Sequence, residues 1–233
     1  MGKAIAIITA RGGSKRIPRK NIKEFCGKPI LAYSIEAAIA SEVFDEVMVS
    51  TDDEEIAEIA KYYGAKVPFM RSAETANDYA ATADVLREVL EQYKVRGMTF
   101  DEMCCIYPTA PFVTAEKLQK AMRVLKEPQT QSVIPVVEFA FPPVRGMYIR
   151  NEKVEYAYPE YELARSQDIE KMYHDCGQFC FLKVEDFLRE QKVIMKNTKA
   201  MIMSNREVQD IDTYEDWKLA EIKYQIMQME REE

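Results

Sequence analysis

The chain is poor in the residues that thiol and soft-metal chemistry needs. It has one histidine, His174, and five cysteines with no C-x-x-C pair among them. An odd set of cysteines without such pairs argues for reduced thiols in a cytoplasmic protein and against a disulfide framework. His174 with Cys176 and Cys180 makes three mixed ligands without a partner pair, a weak zinc pattern. His174 otherwise reads either as a buried, hydrogen-bonded structural imidazole or as a ligand contact. No apolar run reaches the length a bilayer demands, and charges follow the short N-terminal run at once, so neither a membrane span nor a signal peptide is expected. Positive charge is not in excess. Lys and Arg number 32 against 39 Asp and Glu, a net charge of −7, which argues against a general nucleic-acid binder. Repeats and low-complexity tracts are absent, and so is the Walker-type spacing G-x-x-x-x-G-K-[ST].

What is present is a core-forming chain of 233 residues, 47% of them hydrophobic, enough for one domain with an insertion or two small ones. Strand and helix signals alternate. Ala4–Ile8, Glu46–Ser50, Met103–Tyr107 and Ser132–Val137 read as strands. Segments opening at Lys28-Pro29, spanning Asp53–Tyr63, and centred on Leu86–Tyr93 and Leu118–Leu125 read as helices. This alternation predicts an α/β fold, a doubly wound, mostly parallel sheet covered on both faces. Between residues 139 and 177 the pattern breaks. Prolines and aromatics crowd together, and Met147–Ile149 and Lys153–Tyr156 flank Arg150-Asn151-Glu152 as a hairpin. We read one domain over residues 1–233, with 139–177 as a projecting insertion. Strand signals resume at Gln178–Leu182 and Met201–Met203, and a last helix carries Trp217, Ala220, Tyr224 and Met227.

The first strand ends in Thr9-Ala10-Arg11-Gly12-Gly13-Ser14-Lys15-Arg16, followed by Ile17-Pro18-Arg19-Lys20-Asn21. Glycines allow a tight turn and close approach of a ligand. Arg11, Lys15, Arg16, Arg19, Lys20 and Lys23 surround that turn, with Glu24 the one acid among them. A buried strand that delivers a basic, glycine-containing loop suits a polyphosphate. Asp210-Ile211-Asp212 follows another apolar strand. In extended chain, residues i and i+2 face one side, so both carboxylates reach one Mg²⁺. Asp212, with Glu215 three residues on, also fits a helix-capping pattern. Asp52-Asp53-Glu54-Glu55 reads as the charged, capped start of a helix.

The stretch A-R-G-G-S-K, a spacer and P-x-K-N resembles the opening signature of the sugar-acid cytidylyltransferases, the CMP-sialate synthetase group, with Thr9 where those enzymes usually carry Pro. The resemblance implies a Rossmann-like nucleotidyltransferase fold. It implies that Arg11, Gly12, Gly13, Ser14, Lys15 and Lys20 hold the phosphates of CTP and that Asn21 contacts the cytidine. Arg71 and Thr82 fall where the family recognises cytosine, although Thr82 also fits a helix N-cap. Asp210 and Asp212 fall on its metal-binding D-x-D. Arg11 and Lys20 with these two carboxylates would form the catalytic set.

The frame Tyr107-Pro108-Thr109-Ala110-Pro111-Phe112, the run Arg165-Ser166-Gln167-Asp168 and the run Tyr173-His174-Asp175-Cys176-Gly177-Gln178 are most similar to the pseudaminic-acid branch of the group. Tyr107, Arg165, Gln167, His174 and Gln178 are the implied sugar contacts, Arg165 as a bidentate partner of the carboxylate. The implied reaction joins CTP to a nonulosonic acid with release of pyrophosphate. It uses Mg²⁺ and proceeds in a homodimer whose insertion reaches the partner's sugar site, or else in a monomer with a hairpin lid. Rival readings are another sugar acid, such as N-acetylneuraminate, and a catalytically silent nucleotide-binding protein. No side chain stands out as a general base.

Overall fold

The computed structural model describes residues 2–232. From β1 (Ala4–Thr9) the chain passes through the basic loop to a short ribbon, β2 (Glu24–Phe25) and β3 (Lys28–Pro29), and then α1 (Ile30–Ala40). Lys28-Pro29 is thus paired strand, and the helix begins one residue after Pro29. Next come β4 (Glu46–Ser50), α2 (Glu54–Tyr62), the single turn α3 (Ala73–Ala76), α4 (Thr82–Val95), β5 (Glu102–Ile106), α5 (Ala115–Leu125) and β6 (Ser132–Glu138). The remainder is β7 (Met147–Arg150), β8 (Lys153–Tyr156), β9 (Tyr173–Asp175), β10 (Phe179–Lys183), α6 (Val184–Glu190), β11 (Thr198–Met203) and α7 (Tyr214–Glu232).

The main sheet has the order β11-β6-β10-β5-β1-β4. All these strands run parallel except β10, which lies antiparallel between β5 and β6. β10 pairs with the start of β6 at Ser132 and Val133, while β9 pairs antiparallel with its end, His174 opposite Val137. The chain turns between β9 and β10 at Gly177, whose φ of +62° a side chain rarely adopts.

Alternation along β1 sends Ala4, Ala6 and Ile8 to one face and Ile5 and Ile7 to the other. The first face packs on Leu31, Ile35 and Leu118 of α1 and α5. The second packs on Leu86 and Tyr93 of α4 and Phe187 of α6. With helices on both sides, β1 is buried throughout, which explains its continuous apolar run.

A third cluster positions the site. Ile17 of the basic loop, Phe25, Tyr33, Phe112, Ile211 and Trp217 are buried together. The Phe25 ring meets Tyr33, Trp217 and Tyr224 edge-on at 5.5–5.6 Å. Helix α7 is thereby fastened to the chain that follows the loop.

Between β6 and β9 the chain leaves the sheet. β7 and β8 form a separate hairpin whose turn residues Asn151 and Glu152 have φ of 50° and 63°, the torsions of a type I′ turn. Ile149 and Val154 on this hairpin are 78% and 62% exposed.

Candidate active site

The basic loop leaves the carboxyl end of β1 and borders a cavity of about 410 Å³ lined by Arg11, Ser14, Lys15, Arg16, Lys20, Asn21 and Tyr107, among others. Its two glycines do different jobs, and neither adopts a positive φ. A Cβ on Gly12 would lie 2.8 Å from Asp53 Oδ2, so Gly12 makes room for an acid below the loop. A Cβ on Gly13 would meet no protein atom within 4 Å. The left-handed residue is Arg19, with φ 55°, its guanidinium held by Asp53 and Glu55. Asp52 Oδ1 accepts the Gly12 N–H at 2.9 Å. The Asp52–Glu55 run does cap α2, since Asp53 accepts the Ile56 N–H, but it also braces the loop, a role that the sequence pattern does not show. Asn21 is buried, and its amide donates to the Arg11 carbonyl at 2.8 Å, so it too holds the loop in shape.

Opposite the loop stands Asp210-Ile211-Asp212. Ile211 is buried in the same cluster as Ile17, Asp210 is exposed and Asp212 partly so; this alternation puts both carboxylates outward. Lys20 Nζ donates to the Ile211 carbonyl at 2.6 Å across 191 residues of sequence and lies 3.7 Å from Asp212 Oδ1. Arg16 pairs with Asp212 at 2.7 Å. Burial pulls the Lys20 ammonium below its ordinary value, and the charges of Asp212 and Asp210 oppose that pull.

Asp212 caps no helix. Thr213 Oγ1 accepts the Asp216 N–H, and the Asp216 carboxylate accepts the N–H groups of Asp212 and Thr213. This is a capping box one residue later than the sequence pattern placed it. Two outward carboxylates beside a basic loop fit Mg²⁺, which prefers oxygen donors and is commonly held by one or two carboxylates together with substrate phosphates. No group of three or more His, Cys, Asp or Glu forms a metal site among the described residues, so His174, Cys176 and Cys180 make no zinc centre.

A second cavity of about 190 Å³ adjoins the first and is lined by Thr9, Arg11, Arg71, Asn77, Asp78 and Thr82, among others. Arg71 is buried; its guanidinium donates to the Ser50 hydroxyl and carbonyl at 3.0 and 2.6 Å, and burial pulls its pKa below the ordinary guanidinium value. Thr82 is the first residue of α4 and not its cap: Ala81 holds the cap position, with Asp84 accepting the Ala81 N–H. Thr82 instead lines this cavity beside Arg71.

The implied sugar contacts are spread more widely. Tyr107 lines the larger cavity, and its N–H donates to the Gln178 carbonyl at 2.9 Å. The Gln178 side chain is buried, donating to the Glu207 carbonyl at 2.6 Å while its Oε1 has no partner. His174 is exposed on β9 and tilts against Phe139 with ring centroids 4.6 Å apart, so the buried structural reading fails. Its place on a sheet margin between β6 and open space leaves it no core to enter. Arg165 is 72% exposed and pairs with Asp168, and Gln167 lines a separate hollow with Phe139 and Pro142. Neither Arg165 nor Gln167 borders the phosphate-loop cavity.

One residue within both cavities has no motif to mark it. Asp78 pairs with Arg11 and with Lys15, each at 2.5 Å. The signal for Asp78, Asp52 and Asp53 was electrostatic: six cations around one turn need counter-charges, and the loop itself brings one.

The family model described as cytidylyltransferase matches residues 5–231. The pseudaminic acid cytidylyltransferase of Campylobacter jejuni serotype O:2 is 40% identical over 225 residues, covering 96% of this chain and 97% of the relative. The CMP-N,N'-diacetyllegionaminic acid synthase of Legionella pneumophila is 30% identical over 228 residues, 93% of this chain and 94% of the relative. Among solved structures, CMP:2-keto-3-deoxy-manno-octonic acid synthetase complexed with CTP superposes with a TM-score of 0.70 at 18% identity, covering 97% of this chain and 99% of that one, and so shares the fold. A basic loop on β1, two carboxylates facing it and a match along nearly the whole length agree: this chain belongs to the cytidylyltransferase family.

Proposed function

We propose that the chain transfers CMP from CTP to the anomeric hydroxyl of pseudaminic acid, releasing pyrophosphate, for bacterial surface glycan synthesis in the cytoplasm. The observation that carries the chemistry is the joint burial of Ile17 and Ile211, which sets the basic loop and the Asp210/Asp212 pair against each other. Arg11, Lys15 and Lys20 gather the triphosphate and stabilise charge as it develops on the leaving pyrophosphate. Asp210 and Asp212 would hold Mg²⁺, which neutralises phosphate charge and makes the sugar hydroxyl a better nucleophile. Arg71 and Thr82 line the smaller cavity, suited to the base, while Tyr107 and Gln178 stand at the carboxyl end of the sheet beside it.

The sugar assignment rests on kinship with the Campylobacter jejuni enzyme and on Tyr107 and Ser166, where the chain departs from the sialate pattern. Residues 139–177 act as a dimerisation segment within the single unit 1–233. Exposed Phe141, Ile149, Val154 and Leu163 supply its apolar contact, and Arg165, Gln167 and His174 serve the sugar site of the partner. No helix among the described residues is long and apolar enough to cross a membrane.

The test is product analysis by mass spectrometry with CTP, Mg²⁺ and a panel of nonulosonic acids. CMP-pseudaminate with stoichiometric pyrophosphate is expected. A higher kcat/KM for N-acetylneuraminate overturns the sugar, and equal turnover of ATP or GTP overturns the cytidine assignment.

A further inference from the structure

The strongest electrostatic feature at the mouth of the site is made by the protein itself. Two of the loop cations, Arg11 and Lys15, are joined by the single carboxylate of Asp78, Oδ1 to Arg11 and Oδ2 to Lys15. Those two hydrogen bonds hold the Asp78 carboxyl below the usual carboxylate range, Lys15 contributing most. Asp78 comes from the connection between α3 and α4, 63 residues beyond Lys15 in the sequence. That connection is pinned from inside by Asn77, whose side-chain oxygen accepts the N–H groups of Tyr79 and Ala80. Its outer side carries no packing, since Tyr79 is 97% exposed. Asp78 borders both the phosphate-loop cavity and the smaller cavity with Arg71 and Thr82, so it sits on the path between them.

A carboxylate that bridges a guanidinium and an ammonium through its two oxygens makes the contacts a phosphate group would make. A triphosphate running from the smaller cavity to the loop needs the same donors. Both ligands are anions, so they cannot share Arg11 and Lys15 without strong repulsion. Resting on the reading of this loop as a phosphate site, we propose that Asp78 is an internal placeholder. Its carboxylate occupies the phosphate position in the free protein, keeps Arg11 and Lys15 oriented, and is displaced with its loop when a triphosphate binds. The cost of that displacement sets nucleotide affinity.

The test uses tripolyphosphate and CTP as probes, titrated calorimetrically into the full chain, with Asp78→Asn and, as a control, Glu74→Gln, which removes a charge of the same sign from α3. Asp78→Asn should bind tripolyphosphate about three- to tenfold more tightly, the scale of losing two solvent-exposed ion pairs, and Glu74→Gln should change affinity less. Hydrogen exchange over residues 77–81 supplies the second readout. In the wild type it should quicken when tripolyphosphate is added, and in Asp78→Asn it should be fast without ligand. Weaker or unchanged binding by Asp78→Asn overturns the placeholder, because Asp78 would then assist the ligand or ignore it. Slower exchange on ligand addition also overturns it, because the loop would be a closing lid. Wild type that binds tripolyphosphate but not CTP overturns the cytidine reading alone, and the inorganic probe then still decides the role of Asp78.

Discussion

Asp212 illustrates how a side chain's role is decided by its neighbours. Thr213 and Asp216 cap α7, so Asp212 has no structural duty there, and its carboxylate is given over to Arg16 and Lys20. Asp212→Asn should therefore abolish CMP transfer while leaving Tm nearly unchanged, and Asp210→Asn should behave alike. Thr213→Ala should do the reverse, costing about 1 kcal/mol of stability by loss of a cap with activity retained below the melting range. Thermal melts read beside pyrophosphate release separate the two. Lys20→Ala should lower kcat/KM by roughly 2–4 kcal/mol of transition-state stabilisation, the scale of removing one donor from a developing anion. The glycines divide similarly. Gly12→Ala drives a Cβ into Asp53 and should lower both stability and CTP affinity. Gly13→Ala meets no protein atom, so Tm should hold; if CTP fills that space, as proposed, the KM for CTP rises.

At the scale of elements, the N-terminus of α2 is a clamp on the loop. Asp53 caps the helix and binds Arg19, whose left-handed backbone turns the chain toward Lys20 and Asn21. The Arg19 hydrogen bond is the largest influence on the Asp53 carboxyl and lowers its pKa; burial opposes it and the Ile56 N–H supports it. A folded value below the unfolded one means that this stabilisation is complete above the ordinary carboxylate value of about 3.9 and is lost as the pH falls through the lower folded value. Asp53→Asn keeps a competent cap but removes the charge. Its stability deficit against wild type, measured by urea denaturation, should be constant from neutrality down to about pH 5 and should shrink toward zero as the pH drops below about 3.9. A deficit unchanged in acid would assign the effect to packing.

The excursion between β6 and β9 belongs to the scale of the whole molecule. It carries Arg165 and Gln167 away from the cavity bordered by Tyr107, and it exposes Ile149 and Val154 on a hairpin that nothing covers. A dimer in which each hairpin reaches the other protomer's site accounts for both facts. Ile149→Asp with Val154→Asp should then yield monomers by analytical ultracentrifugation, with the fold intact by circular dichroism and the KM for the sugar acid raised. Mixing inactive Arg165→Ala with inactive Asp212→Asn should restore part of the activity, because one site in each mixed dimer receives both wild-type residues. Absence of rescue would place Arg165 in its own protomer's site.

The sheet and the basic loop are legible in the sequence alone. Buried strands such as Ala4–Thr9 and helices with a polar and an apolar face write their periodicity into local composition, and the loop's cations and glycines are contiguous. The hairpin was legible for the same reason, two short strands around a turn whose torsions local residues permit. Which groups face one another is set by the packing of distant segments. The joint burial of Ile17 and Ile211, the bridge from Asp78 to Arg11 and Lys15, and the insertion of β10 antiparallel between β5 and β6 all join distant segments. Such contacts follow from the order in which strands are laid into the sheet, and no local periodicity encodes that order. A capping box at Thr213 and Asp216, one residue on from the pairing of Asp212 with Glu215, freed Asp212; the sequence holds both spacings, and only the folded contacts chose between them.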